Sequence, residues 1–334
     1  MSMSMSMRAR TALIASLTFA AALGGAGAAS GQAFPARPVT MVIAFGAGGP
    51  GDTIGRILAE HMRGTLGQPV VIENLPGASG TIGVGRVARA VPDGYTFTLG
   101  NWATHVLNGP MFSLSYDLAA DFTPVALVSN DPLTIVARKS FPANDLKEFI
   151  AWLKANPDGA TQGTTGAGGI STVGGLFFRK ETGTQFRFVP YRNGLAAAMQ
   201  DLVAGQIDFM IDTAANSLPQ IRAATIKAYA VTAKTKLAAA PEIPTVDEAG
   251  LPGLHAQNWQ AIFLPKGAPR EVVAKLNAAT TAALADPNVQ RRLADIGQQI
   301  YPREQQTPQA LAVLQKAEIE KWWPIIKAAG IKAE

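Results

Sequence analysis

Val39-Thr40-Met41-Val42-Ile43-Ala44-Phe45 is a near-continuous apolar run, and Gly46-Ala47-Gly48-Gly49-Pro50-Gly51-Asp52 follows it directly. An apolar run without polar alternation predicts a parallel strand covered on both faces. The glycines end it. Beyond them Ile54, Ile57, Leu58 and Met62 are spaced for one buried face, which predicts a helix that begins at Asp52 and stops at Gly64 or Gly67. Working outward, the same strand, glycine turn and helix recur. Pro69-Val70-Val71-Ile72-Glu73 predicts a second strand, closed by Asn74-Leu75-Pro76-Gly77 and followed by a helix over 82–90. Tyr95-Thr96-Phe97-Thr98-Leu99-Gly100 predicts a third, leading into Asn101-Trp102-Ala103-Thr104 and a helix near His105. Three such units in a row imply a doubly wound α/β sheet with right-handed crossovers.

A second set begins with a strand at 133–138 and a helix at 146–155. The turn Gly163-Thr164-Thr165-Gly166-Ala167-Gly168-Gly169-Ile170-Ser171-Thr172 then feeds a helix through Leu176 and Phe177. Strands at 186–191, 207–212 and 228–232 enclose a helix at 195–204. A strand at 259–267 returns toward the first set, and helices follow at 270–285, 289–296 and 308–328. The expected architecture is two doubly wound α/β domains joined by two hinge strands, 133–138 and 259–267, with a ligand cleft between them. Residues 34–134 plus 257–334 would form a discontinuous first domain and 135–256 an inserted second one. Two lobes facing one cleft permit hinge closure around a ligand.

Residues 1–33 read as a signal peptide, with Arg8 and Arg10 ahead of a short apolar core at 12–23 and a run of small residues. Cleavage after Ala28 or Ala33 would place the mature chain outside the cytoplasm. The net charge is +5, and removing residues 1–33 takes away two basic and no acidic residues. No basic cluster remains to argue for nucleic acid. Cysteine is absent, which excludes thiolate metal sites, a cysteine nucleophile, disulfides and a lipid-bearing cysteine. The mature length of about 300 residues suits two domains held by their cores.

The glycine turns at 46–51, 77–81, 100–104 and 163–172 carry the candidate chemistry. Each follows a strand and precedes a helix, so backbone amides and a positive dipole end face one crevice, which suits an anion. Amides around Gly48, Gly49, Ser79 and Gly168 are expected to hold a carboxylate. Trp102, Tyr191, Arg192 and Asp212 are expected to select the remainder of the ligand. Each has a plainer reading: Trp102 as core, Arg192 as a solvated cation, Asp212 as a helix cap. His105 lines the cleft or is structural. The rival is dinucleotide binding. Gly46-Ala47-Gly48-Gly49-Pro50-Gly51 matches G-x-G-x-x-G, and Glu73 ends the next strand as a ribose-binding acid would. Against it stand the signal peptide and the lack of a catalytic apparatus. Gly169-Ile170-Ser171-Thr172-Val173 lacks the last glycine of a nucleophile elbow. The three histidines, His61, His105 and His255, show no metal-ligand spacing.

Five segments, read in order, resemble one family. They are Phe45-Gly46-Ala47-Gly48-Gly49-Pro50-Gly51-Asp52, Glu73-Asn74-Leu75-Pro76-Gly77-Ala78-Ser79-Gly80, Val189-Pro190-Tyr191-Arg192-Asn193-Gly194, Gly205-Gln206-Ile207-Asp208 and the stretch from Pro244 to Gly253. They look like the substrate-binding proteins of tripartite tricarboxylate transporters, also called Bug receptors. The resemblance spans nearly all of 34–330. It implies a type II periplasmic-binding-protein fold and a carboxylate held by amides and bridging waters, with no cofactor or metal. Implied partners are the large and small membrane subunits of a transporter, with a sensor-kinase ectodomain as the alternative for a signalling receptor; a monomer is expected. By position, the family's first loop maps to Phe45, Ala47, Gly48, Gly49 and Thr53, the second to Ala78, Ser79 and Thr81, and the inserted-domain loop to Thr165, Gly166, Gly168 and Thr172. Ala44 stands where a proline is common, Thr172 where a histidine is frequent, and Asn101-Trp102 where smaller residues are typical.

Overall fold

The computed structural model describes residues 34–164, 166, 169–191 and 194–330. Contacts divide the chain into Met1–Ala36 and Arg37–Glu334. The signal-peptide reading, 1–33, lies outside the described residues. The second unit begins with β1 (Val39–Ile43), α1 (Pro50–Leu66), β2 (Val70–Asn74), α2 (Thr81–Ala88), β3 (Thr96–Asn101), a π-turn (Ala103–Leu107) and α3 (Asn108–Met111). It continues with β4 (Phe122–Arg138), α4 (Leu146–Ala155), β5 (Thr161–Thr164), α5 (Ile170–Thr182), β6 (Arg187–Pro190), α6 (Leu195–Val203), β7 (Phe209–Thr213), α7 (Ala214–Arg222) and β8 (Ile226–Val231). It ends with β9 (Gln257–Pro265), α8 (Arg270–Ala285), α9 (Pro287–Asp295), β10 (Gln299–Ile300) and α10 (Pro308–Ala328).

The strands form one curled mixed sheet in the order β2-β1-β3-β9-β4-β7-β5-β6, with β8 and β10 also paired to β4. β1 pairs in parallel with β2 and β3, as the continuous apolar run predicts, and Val39, Met41, Val42 and Ile43 are buried. β5 likewise runs parallel to β6 and β7. These are the two doubly wound halves. β4 belongs to both: Phe122 to Pro132 pairs with β9, and Leu133 to Ala137 with β7. Its register shifts at Pro124/Ala126 and Leu127/Ser129, where an extra residue bends a strand and lets it change sheets.

The sequence reading saw only 133–138 of this 17-residue strand. That segment lies wholly in the second half, so the crossing falls just before it. β5, α7 and β10 were not anticipated. α1 starts at Pro50 rather than Asp52, because proline at the first helical position loses no hydrogen bond there. Around the sheet Phe97, Phe141, Phe149, Phe178, Phe186, Phe209, Trp259 and Phe263 are all at most 1% exposed. All of these but Phe97 belong to one hydrophobic cluster that runs through both halves. Among the described residues no helix is long and apolar enough to cross a membrane.

Candidate functional site

The first glycine turn is tied down by a carboxylate. Asp52, 3% exposed in the first turn of α1, accepts from the Gly48 amide at 2.9 Å and from Arg56 Nε at 2.9 Å. Its other oxygen accepts from Asn74 Nδ2 at 3.1 Å, and the same amide donates to the Phe45 carbonyl at 3.1 Å. The Arg56 hydrogen bond leads in holding the Asp52 carboxyl below its usual range. Gly48 needs its glycine, because φ is +81° there. Thr53 spends its hydroxyl on the Gly49 carbonyl at 3.1 Å. Phe45 and Gly49 are half-buried, whereas Ala47 and Gly48 are exposed.

This geometry bears on the dinucleotide motif. The Gly48 amide that would meet a phosphate is already held by an internal anion. Glu73, the supposed ribose ligand, pairs with Arg86 at 3.1 Å. Both diagnostic groups are engaged within the chain.

The second turn is wound tightly. Gly77, Ala78, Ser79 and Gly80 all have positive φ, at 132°, 45°, 52° and 90°. For Ala78 and Ser79 this costs of order 1–3 kcal/mol each, so the surroundings must enforce it. Asn108 Nδ2 does so by donating to the Ser79 carbonyl at 2.9 Å, and Tyr116 by donating to the Thr81 carbonyl at 3.2 Å. Ala78 and Ser79 stay exposed, with Thr81 half-buried. A Cβ on Gly80 would lie 2.7 Å from Thr104 Cγ2 and 3.2 Å from Ala44 Cβ, and one on Gly83 would lie 2.9 Å from Ala44 Cα. The turns after β1, β2 and β3 therefore abut one another.

The third turn departs from expectation. Asn101 and Thr104 cap each other, amide to side chain, at 3.0 Å in both directions. Trp102 is packed into the core. It is 0% exposed and meets Trp322 edge to face at 4.9 Å. His105 is also 0% exposed, with its ring stacked 4.0 Å from Phe263. Burial pushes its pKa down to about 3, so the ring is neutral. Gly100 makes room for it, since a Cβ there would fall 2.2 Å from the imidazole.

In the second half, Thr165, Gly168 and Arg192 lie outside the described residues. Gly166, at φ +94°, accepts from Thr172 Oγ1 at 2.5 Å, so that hydroxyl is spent inside its own turn. The Tyr191 amide donates to the Thr164 carbonyl at 2.7 Å, which joins the turns after β5 and β6. The Tyr191 hydroxyl donates to Asp201 at 2.6 Å. Asp212 is 0% exposed and accepts from the Thr213 amide at 2.7 Å and from Asn216. Asp212 stands one residue before the helix cap, Thr213, and both of its oxygens are engaged within the chain.

Sequence reasoning missed Asp52, Asn74 and Asn108, the side chains that shape the turns. Asp52 carried a signal, because an acid three residues after a helix cap often reaches back to a free amide. A cavity of about 690 Å³ lies elsewhere, lined by Asn130, Lys234, His255, Trp259, Glu318 and Lys321, and no glycine turn reaches it.

The family described as "Tripartite tricarboxylate transporter family receptor" matches residues 54–331. The periplasmic binding protein BugD is 39% identical, with a TM-score of 0.79 over 90% of this chain and 100% of that one. MatC from Rhodopseudomonas palustris, solved with bound malate, is 40% identical with a TM-score of 0.79, covering 88% of this chain and 100% of its own. Rpa4515 of R. palustris, solved with adipate, is 32% identical with a TM-score of 0.80, covering 90% and 100%. These likenesses agree with a type II periplasmic-binding-protein fold for this chain, its sheet built from two doubly wound α/β halves. With its glycine turns gathered at the strand ends and 278 consecutive positions matched, the chain belongs to the tripartite tricarboxylate transporter family receptors, the solute-binding Bug proteins.

Proposed function

We propose that the mature protein is a periplasmic receptor that closes on a small carboxylate and delivers it to the two membrane subunits of a tripartite transporter. The observation that carries this reading is the abutment of the turns after β1, β2 and β3, with the joined Thr164 and Tyr191 turns supplying the other lobe. The lobes would be 34–134 plus 257–334 and the inserted 135–256. The ligand would be a mono-, di- or aromatic carboxylic acid, and two structurally similar proteins solved with the dicarboxylates malate and adipate favour the second. The Gly48 amide serves Asp52, which leaves Gly49, Gly51 and the Ala78–Ser79 turn as the first-lobe donors. Thr165, Gly166, Gly168 and Arg192 would complete the grip from the second lobe. Binding of this kind needs no catalytic group, and the protein acts as a monomeric carrier. Titration calorimetry against a panel of mono- and dicarboxylates tests the proposal. We expect at least one saturable ligand and no response to nicotinamide dinucleotides; a folded protein that ignores every acid refutes it.

The Asp52 tether gives a second expectation. Asp52→Ala frees the first turn, and loss of hydrogen bonds to a charged group is worth about 1.5–3 kcal/mol. Affinity for the best carboxylate should fall roughly 10- to 100-fold, with the far-UV circular dichroism spectrum unchanged. An unaltered Kd would remove this turn from the site.

A further inference from the structure

The cavity of about 690 Å³ is walled on one side by the β4–β9 ladder. There Asn130 stands opposite Trp259 in antiparallel register, so the two side chains share one face of the sheet. They are 7% and 1% exposed. Trp259 Nε1 and Asn130 Oδ1 both lack a hydrogen-bond partner. A donor and an acceptor buried on facing residues, and not bonded to each other, are costly unless a group that both accepts and donates completes them.

Helix α10 supplies a second wall, with charge of both signs. Glu318 is half-buried and accepts from Trp322 Nε1 at 3.0 Å. Three residues on, Lys321 Nζ donates to the His255 carbonyl at 3.0 Å and lies 4.7 Å from the Trp322 ring and 5.2 Å from that of Phe177. An ammonium carries three N–H groups, so two remain for a ligand. Lys234, exposed beyond β8, adds a second cation to the lining. Burial leads in raising the Glu318 carboxyl and in lowering the Lys321 ammonium, so each charge gains from an opposite one brought to it.

We propose that this cavity is a second ligand site, for a free α-amino acid with a large apolar side chain, separate from the carboxylate grip of the glycine turns. The charge pattern selects that class. A simple carboxylate would approach Glu318, a like charge, and a simple amine would approach Lys234 and Lys321. A zwitterion satisfies both signs: its carboxylate accepts from the two lysines and from the Trp259 indole, and its ammonium donates to Glu318 and to Asn130 Oδ1. Ile300, Tyr301 and Leu314, which also line the cavity, are left for the side chain. The volume lies within the range of about 300–1,000 Å³ usual for small-molecule pockets.

Titration calorimetry with L-phenylalanine tests it, beside phenethylamine, which has the ammonium and lacks the carboxylate. We expect saturable binding of phenylalanine and binding of phenethylamine weaker by roughly tenfold or more, the loss of one charge-assisted contact. Glu318→Gln keeps an acceptor for the Trp322 indole, and Lys234→Glu alters an exposed position that the fold tolerates. Each should weaken phenylalanine binding by roughly tenfold. Asp52→Ala, which disturbs the first glycine turn, should leave it unchanged. The place of binding has its own readout: the Trp259 indole N–H signal in proton–nitrogen correlation spectra, assigned through Trp259→Phe, should move as phenylalanine saturates. Absence of phenylalanine binding overturns the second site. So does binding that is equally strong in Glu318→Gln and Lys234→Glu, and loss in Asp52→Ala alone would put the amino acid in the glycine-turn cleft instead. The carboxylate reading stands or falls on its own panel of acids, whichever of these results is found.

Discussion

Trp322→Ala is expected to lower the unfolding free energy by about 3–5 kcal/mol, the range for deleting a large buried aromatic. Trp322 is 0% exposed in α10 and touches aromatic rings from both halves. It meets Trp102, just beyond β3, at 4.9 Å and Phe177, in α5, at 5.0 Å, both edge to face. Its indole also donates to Glu318 at 3.0 Å. Burial leads in raising the Glu318 carboxyl, and the Lys321 charge and the Trp322 hydrogen bond oppose it. The truncation would leave a cavity among three rings and strip a half-buried acid of its donor. Trp322→Phe should cost less than half as much, because it keeps most of the ring contact. Urea denaturation checks this, through a lower midpoint with an unchanged m-value. A shift below about 1 kcal/mol would mean that α10 is not packed as described.

The second large effect is a dependence of stability on pH that runs opposite to ordinary acid denaturation. Asp212 is fully buried, and its carboxyl is raised to about 7 from 3.8. The folded state therefore prefers the protonated form, so the unfolded chain binds fewer protons between those two values. The contribution is fully present below about pH 4 and is lost as pH climbs through about 7. At about 1.4 kcal/mol per pH unit the loss amounts to roughly 4 kcal/mol by pH 8. Denaturant midpoints at pH 5 and pH 8 should show the wild type more stable at pH 5. Asp212→Asn, which keeps an acceptor for the Thr213 amide, should reduce that slope, the remainder resting on the equally buried Asp131, whose carboxyl burial also raises. A wild type equally stable at both values would place a charged Asp212 in the folded protein.

Much of the fold was legible because its signals are local. The run at Val39–Phe45, the turns after β1 and β2, and α8 and α10 follow from apolar spacing and helix-breaking residues within a few positions. β4 was half hidden. Pro124, Asn130, Asp131 and Pro132 are poor strand formers, and what holds them extended is pairing with β9, more than a hundred residues further along. α7 was hidden by Asn216, Ser217 and an internal Pro219. Thr161–Thr164 was too short and polar to read as a strand.

The candidate site divides along the same line. Where the backbone turns, and that glycine is needed at Gly48 and Gly80, is written in short-range sequence, since a positive φ is a property of single residues. Which polar groups stay available was decided only by the tertiary structure. The Gly48 amide is engaged by an acid whose second oxygen is held by Asn74, 22 positions on. Trp102 is buried because a helix near the chain's end covers it. Burial and hydrogen-bond satisfaction belong to pairs of distant residues, and local sequence cannot specify both members of a pair.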